Sequence, residues 1–118
     1  MDKYTSIEDL KKLVQVFTQE RDWDKFLSPK TIAIYLSLES SELLEKFVFV
    51  DNEESKQCLI NKKDEIQQEL SDVFYWIMQM CWIYNIDLSE SVRQKLQLTG
   101  EKYPIEKAKG NTIKYTEL

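Results

Sequence analysis

The sequence predicts an all-α protein, and two observations support this prediction. The chain of 118 residues contains only 2 glycines and 2 prolines, too few for the many tight reversals of an all-β fold. Apolar residues also recur at intervals of three and four, which places them on one face of a helix. With 42% hydrophobic residues and no linker rich in Gly, Pro or Ser, we predict a single domain over residues 1–118, built as a four-helix bundle.

The first two helices are predicted from their caps and their apolar spacing. Thr5 and Glu8 have the form of a capping box, which opens a first helix from about residue 6 to 20. Residues 23–28 are predicted to form a loop. Ser28 is then the expected N-cap of a second helix, with Pro29 at its first position.

The later elements are predicted in the same way. The polar residues 51–55 indicate a connector, followed by a third helix that starts near Ser55 or a few residues later and continues to about Tyr84. Asp87 and Glu90 again resemble a capping box and open a fourth helix through Leu98. The polar remainder, residues 99–118, is predicted to lie over the bundle as an extended C-terminal tail.

The segment Val73–Tyr84 is apolar on every side of its predicted helix. A monomer of this size could hardly cover such a helix all round, so we predict a homo-oligomer in which part of the segment is buried. The alternative is that this is the central helix of a monomer.

The composition restricts the possible chemistry. The chain has no histidine, which excludes Ser-His and Cys-His catalysis and removes the commonest nitrogen ligand of zinc. Cys58 and Cys81 form no CxxC motif and are expected to be reduced thiols, with Cys81 in the core. A bound metal would therefore be held by oxygen atoms, which favours Mg²⁺, with Mn²⁺ as a substitute.

Charge and hydropathy restrict the partners. The net charge of −5 and the absence of a basic cluster argue against nucleic-acid binding. The longest apolar stretch, residues 73–84, is too short to span a bilayer. Acidic residues near the N-terminus interrupt any signal-peptide pattern, so we expect a cytoplasmic protein without a membrane partner.

Two pairs of carboxylates are the most informative feature of the chain. Glu39 and Glu42 lie on the second predicted helix, and Glu69 and Asp72 lie on the third. Spacing of i,i+3 places both members of a pair on one face. Either pair alone fits a solvated face, but leucines flank both, and carboxylates at the edge of a core are costly unless paired or metal-bound. If the two faces meet, the four carboxylates would repel one another unless a divalent cation lay between them, which predicts a metal site.

These motifs resemble the EXXE…EXXD signature of the MazG-like, all-α nucleoside triphosphate pyrophosphohydrolases. The residues Glu20 to Phe26 and Ser28-Pro29-Lys30 are similar to the loop of the single-domain branch that includes the deoxycytidine triphosphate pyrophosphatases. The segments Lys102-Tyr103-Pro104 and Lys114 to Leu118 are similar to the C-terminal part of that branch. The resemblance covers nearly the whole chain from the first helix onward.

The resemblance implies a function and a set of site residues. Glu39, Glu42, Glu69 and Asp72 would coordinate Mg²⁺ that engages a nucleoside triphosphate, water would attack the α-phosphorus, and pyrophosphate would leave. Glu39 or Glu42 would accept the proton of that water. The residues implied in substrate binding are Trp23, Phe49, Trp76, Lys30, Lys95, Lys102 and Tyr103.

Some of these roles have simpler alternatives. Phe49 and Trp76 could equally be core residues, and the lysines could be solvated surface charges. Thr99 replaces an asparagine that is common in relatives, so one polar contact of the family to phosphate or to the metal shell stays open. Val14 replaces a pocket histidine of some cytidine-preferring relatives, so the base preference stays open. The family also implies a dimer or a dimer of dimers, with the Trp23 loop and the segment 95–102 closing over the substrate.

Three other functions are consistent with parts of the sequence. An all-α dUTPase-like hydrolase shares the carboxylate helices but normally has a longer chain with further acidic motifs. A non-catalytic helical interaction module would use the acidic faces only for solvation. A di-iron carboxylate bundle would need Glu-x-x-His pairs, and the chain has none.

Overall fold

The computed structural model describes Met1 to Leu118 and contains no strand, which confirms the all-α prediction. It has six α-helices rather than four: α1 (Ile7–Glu20), α2 (Pro29–Glu45), α3 (Asn52–Asn61), α4 (Lys63–Ile83), α5 (Leu88–Lys102) and α6 (Ile105–Ala108). Short 3₁₀ turns occupy Asp2–Tyr4, Asp24–Phe26 and Tyr115–Glu117. The chain divides into two compact units, Met1–Ile86 and Asp87–Leu118. No helix combines the length and the apolarity that a membrane crossing requires.

The N-terminal caps of α1 and α2 are side-chain hydrogen bonds. The capping box of α1 is formed by Ser6 and Asp9, one residue later than predicted, and the Thr5 hydroxyl donates to the sulfur of Met1. Ser6 Oγ accepts from the Asp9 N–H at 3.0 Å, and the Asp9 carboxylate accepts from the Ser6 N–H at 2.9 Å. Ser28 caps α2 as predicted, accepting from the Thr31 N–H at 3.1 Å.

The predicted continuous third helix is wrong. Asp51 accepts a hydrogen bond from the Glu54 N–H at 2.8 Å, so the polar residues after it form the first turn of α3 rather than a connector. Lys62 then leaves the helical conformation at φ −116° and ψ 28°, although its N–H still donates to the Cys58 carbonyl. Neither glycine nor proline marks this break in the sequence.

Helix α4 is the centre of the first unit and packs against both α1 and α2. The buried hydrophobic residues are Leu27, Ile32, Ile66, Met78 and Cys81. Burial raises the pKa of the Cys81 thiol, in agreement with its predicted place in the core.

A buried polar network joins α1 to α4. Gln79 and Thr18 are both 0% exposed. The Gln79 amide donates to Thr18 Oγ1 and to the Tyr75 hydroxyl, each at 2.8 Å, and its carbonyl accepts from Trp82 Nε1 at 2.6 Å. Each side-chain polar atom of Gln79 and Thr18 therefore has a partner, which is what makes an amide tolerable in the core.

Helix α5 begins where the sequence predicts the fourth helix. Asp87 accepts from the Glu90 N–H at 3.0 Å, but α5 continues to Lys102 rather than ending at Leu98. Part of the predicted extended tail is thus helical. The rings of Tyr103 and Tyr115 meet edge to face at 5.8 Å, and Lys102 Nζ lies 4.8 Å from the Tyr115 ring centre.

Candidate active site

Helices α2 and α4 run antiparallel, and their facing side chains form a ladder that we call the α2–α4 seam. On α2 and its C-cap the seam residues are Tyr35, Glu39, Glu42 and Lys46; on α4 they are Trp76, Asp72, Glu69 and Glu65. The spacings are four, three and four residues on both helices. The seam therefore has an aromatic layer at one end, two carboxylate layers in the middle and an ion pair at the other end.

The four carboxylates converge in the middle of the seam. Glu39, Glu42, Glu69 and Asp72 each offer a carboxylate oxygen, and these oxygen atoms all lie within 4.8 Å of one another. The sequence prediction that the two pairs would face each other is thus realised in the geometry. Their roles as metal ligands stay predictions.

The electrostatics of the cluster are unfavourable for four bare anions. Glu39 Oε2 and Glu69 Oε2 are buried without any hydrogen-bond partner. Glu39 would accept a hydrogen bond from protonated Glu42, and this neighbour's acceptor oxygen and negative charge raise the pKa of Glu42. Burial, followed by the charge of Glu42, raises the pKa of Glu69. Both shifts show that the fold holds these groups where a negative charge is costly.

A hard divalent cation fits this donor set. All four donors are carboxylate oxygens, which Mg²⁺ and Mn²⁺ prefer, and there is no thiolate or imidazole among them. The two unpartnered buried oxygens would gain a partner from such an ion. Lys46 lies at the edge of the cluster, with Nζ 4.0 Å from Glu69 Oε1, and compensates only part of the negative charge.

An aromatic cavity of about 320 Å³ adjoins the carboxylates. Tyr35 and Trp76 stack at 4.6 Å with their planes 8° apart, and each is one helical turn from a carboxylate of its own helix. The lining residues are Trp23, Phe26, Leu27, Thr31, Tyr35, Tyr75 and Trp76. The structure therefore brings the predicted residues Trp23 and Trp76 to one cavity beside the acidic cluster.

Phe49 and Lys30, which the sequence also implied in substrate binding, are not among the residues that line this cavity. Phe49 follows α2 and is 96% exposed, which excludes a core role in the chain as described. Lys30 is exposed in the first turn of α2. Lys95 is exposed on α5, and Lys102 and Tyr103 close that helix within the second unit. A substrate-binding role for these residues stays a prediction.

Several seam and cavity residues were not predicted as site residues from the sequence, among them Tyr35, Tyr75 and Lys46. Tyr35 and Tyr75 line the aromatic cavity, and Lys46 ends the seam. The spacing contains a signal for two of them, because Tyr35 precedes Glu39 by four residues and Lys46 follows Glu42 by four. No such pattern distinguishes Tyr75 from the apolar residues around it.

Comparison with known proteins places this geometry in a family. A sequence model described as the MazG-like family matches residues 34–118. Proteins named dCTP pyrophosphatase 1 from Mus musculus and Homo sapiens are each 32% identical over 115 residues, which is 96% of this chain and 68% of theirs. The crystal structure of a pyrophosphatase from Archaeoglobus fulgidus aligns with a TM-score of 0.81 at 30% identity, covering 86% of this chain and 94% of its own. This chain belongs to the MazG-like family.

Proposed function

We propose that this MazG-like protein is a Mg²⁺-dependent nucleoside triphosphate pyrophosphohydrolase, which releases a nucleoside monophosphate and pyrophosphate. The enzyme class is supported by relatives that are named pyrophosphatases. The single observation that carries the proposal for this chain is the convergence of four carboxylates within 4.8 Å beside an aromatic cavity. We take dCTP and modified deoxynucleotides as the first candidate substrates.

The α2–α4 seam and the aromatic cavity would bind separate parts of a nucleotide. Trp23 and the stacked pair of Tyr35 and Trp76 offer flat apolar surfaces for a nucleobase. One turn along each helix, the carboxylates would hold Mg²⁺, which neutralises phosphate charge and acidifies bound water. The reaction breaks the bond between the α-phosphorus and the bridging oxygen, and the pyrophosphate leaves with that oxygen.

The proton of the attacking water needs an acceptor, and the chain has no histidine. Glu42 or Glu39 would take it on a carboxylate oxygen. The oxygen atoms of both carboxylates lie within the acidic cluster that would hold Mg²⁺ and its bound water, so either could accept that proton. We therefore assign general-base chemistry to this pair.

The experiment is a nucleotide panel with purified protein. Pyrophosphate release would be measured with Mg²⁺ and each canonical or modified triphosphate, with direct competition between dCTP and dUTP to test the dUTPase-like alternative. We expect release by the wild type and a loss of roughly 100-fold or more for Glu42→Gln. Glu53→Gln on α3 is the matched control, because that carboxylate is exposed and pairs only with Lys56. Equal rates for Glu42→Gln and the wild type would contradict the proposal.

We also propose that the protein is a homo-oligomer that buries an apolar groove between α1 and α4. The groove has a volume of about 670 Å³, and its apolar lining is formed by Leu10, Leu13, Val14, Leu70, Val73, Phe74 and Ile77. Leu13 is 66% exposed in the single chain. A contiguous apolar groove of this kind is typical of a protein interface.

The oligomer is tested by sedimentation. Leu13→Lys should shift the protein toward monomer, because the exposed position tolerates a lysine in the single chain and not within an interface. Leu59→Lys on α3, at a similarly exposed leucine, should leave the sedimentation coefficient unchanged. A monomeric wild type would refute this part of the proposal.

A further inference from the structure

Lys46 occupies the end of the α2–α4 seam, and the mechanism above leaves it without a role. Its ammonium lies 3.5 Å from Glu65 Oε2 and 4.0 Å from Glu69 Oε1, and its side chain is 26% exposed. It is the only lysine or arginine in an ion pair with one of the four clustered carboxylates. The side chain of Lys46 is thus mostly covered, with part of it still open to solvent.

The order of the seam layers matches the order of groups in a nucleoside triphosphate. From one end, the layers are the aromatic pair Tyr35 and Trp76, the four carboxylates, and the ammonium of Lys46. Successive seam residues on each helix are three or four positions, or about 5 Å, apart. A base in the aromatic cavity and an α-phosphate at the carboxylates would direct the β- and γ-phosphates toward Lys46.

We propose that Lys46 binds the β,γ end of the triphosphate and the departing pyrophosphate. This inference rests on the proposed function. As the bridging oxygen leaves the α-phosphorus, negative charge builds up on the pyrophosphate, and an ammonium there stabilises that charge. Glu65 holds Lys46 at the seam before the nucleotide arrives, and the pair is exposed enough for the ammonium to exchange one anionic partner for another.

The alternative is that Lys46 acts only by orienting Glu69. The two roles predict opposite effects on metal affinity. If Lys46 orients a ligand, its removal weakens Mg²⁺ binding. If Lys46 is a phosphate contact, its removal takes a positive charge away from the cation and strengthens Mg²⁺ binding in the absence of nucleotide.

The test measures pyrophosphate and Mg²⁺ binding by calorimetry, together with kinetics on a triphosphate that the wild type hydrolyses. For Lys46→Gln we expect pyrophosphate affinity in the presence of Mg²⁺ to fall roughly 10- to 100-fold, the loss typical of one charge-assisted hydrogen bond. Mg²⁺ affinity without nucleotide should stay equal or rise severalfold. Lys46→Met, which keeps an apolar stem, should behave in the same way and serves if the glutamine variant folds poorly.

Two further variants isolate the effect. Lys56→Gln removes an equivalent charge on α3, where the lysine pairs only with Glu53, and should bind pyrophosphate like the wild type. Glu65→Gln leaves the Lys46 charge in place and should bind pyrophosphate at least as tightly as the wild type, because the ammonium is then no longer shared.

The possible results distinguish phosphate binding by Lys46, an orienting role of Lys46 and a failure of the proposed function. Unchanged pyrophosphate affinity in Lys46→Gln overturns the inference and leaves the proposed function standing. A parallel fall of Mg²⁺ and pyrophosphate affinity overturns it in favour of an orienting role. A wild type that neither binds pyrophosphate nor releases it from any triphosphate refutes the proposed function itself, and the inference with it.

Discussion

Glu39 and Glu69 each hold a buried carboxylate oxygen that no donor contacts, within a cluster of four acids. At the scale of single residues this is the feature that distinguishes a ligand set from a solvated acidic face. A solvated face would keep its carboxylates in water, where like charges i,i+3 apart cost little. The burial of two oxygens without partners makes the cluster costly in the absence of a cation.

The first prediction follows from that cost. Glu42→Gln should raise the melting temperature in the presence of a chelator, because the amide removes one negative charge and can donate a hydrogen bond to Glu39. The same substitution should reduce the increase in melting temperature that Mg²⁺ produces, since one ligand is lost. Thermal unfolding with and without Mg²⁺ measures both effects.

Glu53→Gln, at an exposed position of α3, is the control. This variant should melt at nearly the same temperature as the wild type, both with the chelator and with Mg²⁺. If Mg²⁺ does not stabilise the wild type at all, the acidic faces only solvate the helices and the interaction-module alternative gains support. The melting temperatures thus distinguish a metal site from a solvated acidic surface without a measurement of enzyme activity.

At the scale of elements, the caps explain which helices the sequence could predict. Ser28 and Pro29 fixed the start of α2, and Asp87 fixed the start of α5, because a cap is a local interaction between residues three apart. The break at Lys62 was missed because α3 and α4 are separated by one residue with no helix breaker nearby. The residues around Lys62 do not by themselves show that α4 packs against α1 and α2 as a separate helix.

The second prediction concerns the α2 cap. Ser28→Ala should lower the free energy of unfolding by about 1 kcal/mol, because the Thr31 N–H loses its acceptor. Ser28→Gly should cost only a few tenths of a kcal/mol, since glycine leaves that N–H open to water. Denaturant unfolding of both variants measures the difference, and equal losses would argue against a specific capping hydrogen bond.

The third prediction concerns the packing of α1 against α4. Gln79→Leu should lower the free energy of unfolding by about 1–3 kcal/mol, because Trp82 Nε1 and the Tyr75 hydroxyl lose their buried partner. Gln68→Leu on the exposed side of the same helix should change it by less than about 0.5 kcal/mol. A neutral result for Gln79→Leu would mean that the network relaxes or admits water.

At the scale of the whole molecule, stability and metal binding depend on pH in opposite senses. The folded-state pKa values of Glu42 and Glu69 lie above their ordinary value of 4.5, so the metal-free fold binds their protons more tightly than the unfolded chain does. Their contribution to stability is fully present below the unfolded-state pKa and is lost as pH rises through the folded-state pKa. Hydrogen bonds to the Asp9 and Asp51 caps lower the pKa of those carboxyls, so the stability they contribute is lost as pH falls.

The fourth prediction uses this linkage. Mg²⁺ competes with protons for Glu42 and Glu69, so the increase in melting temperature that it produces should shrink as pH is lowered from about 7.5 to about 5. Thermal scans at fixed Mg²⁺ concentration across that range measure the effect. An increase independent of pH would place the bound metal away from these carboxylates.

The sequence by itself determined the helical class, the starts of α2 and α5 and the identity of the two carboxylate pairs, because caps, apolar periodicity and i,i+3 spacing are local properties of the chain. Only the tertiary structure decided that the two pairs meet within 4.8 Å, and that Tyr35, Trp76 and Lys46 complete the same seam. The alignment of the two helices along the seam depends on how α2 and α4 pack. That packing is set by buried side chains such as Ile32 and Ile66, which are far apart in sequence. A single helix cannot specify which face of a distant helix it will meet.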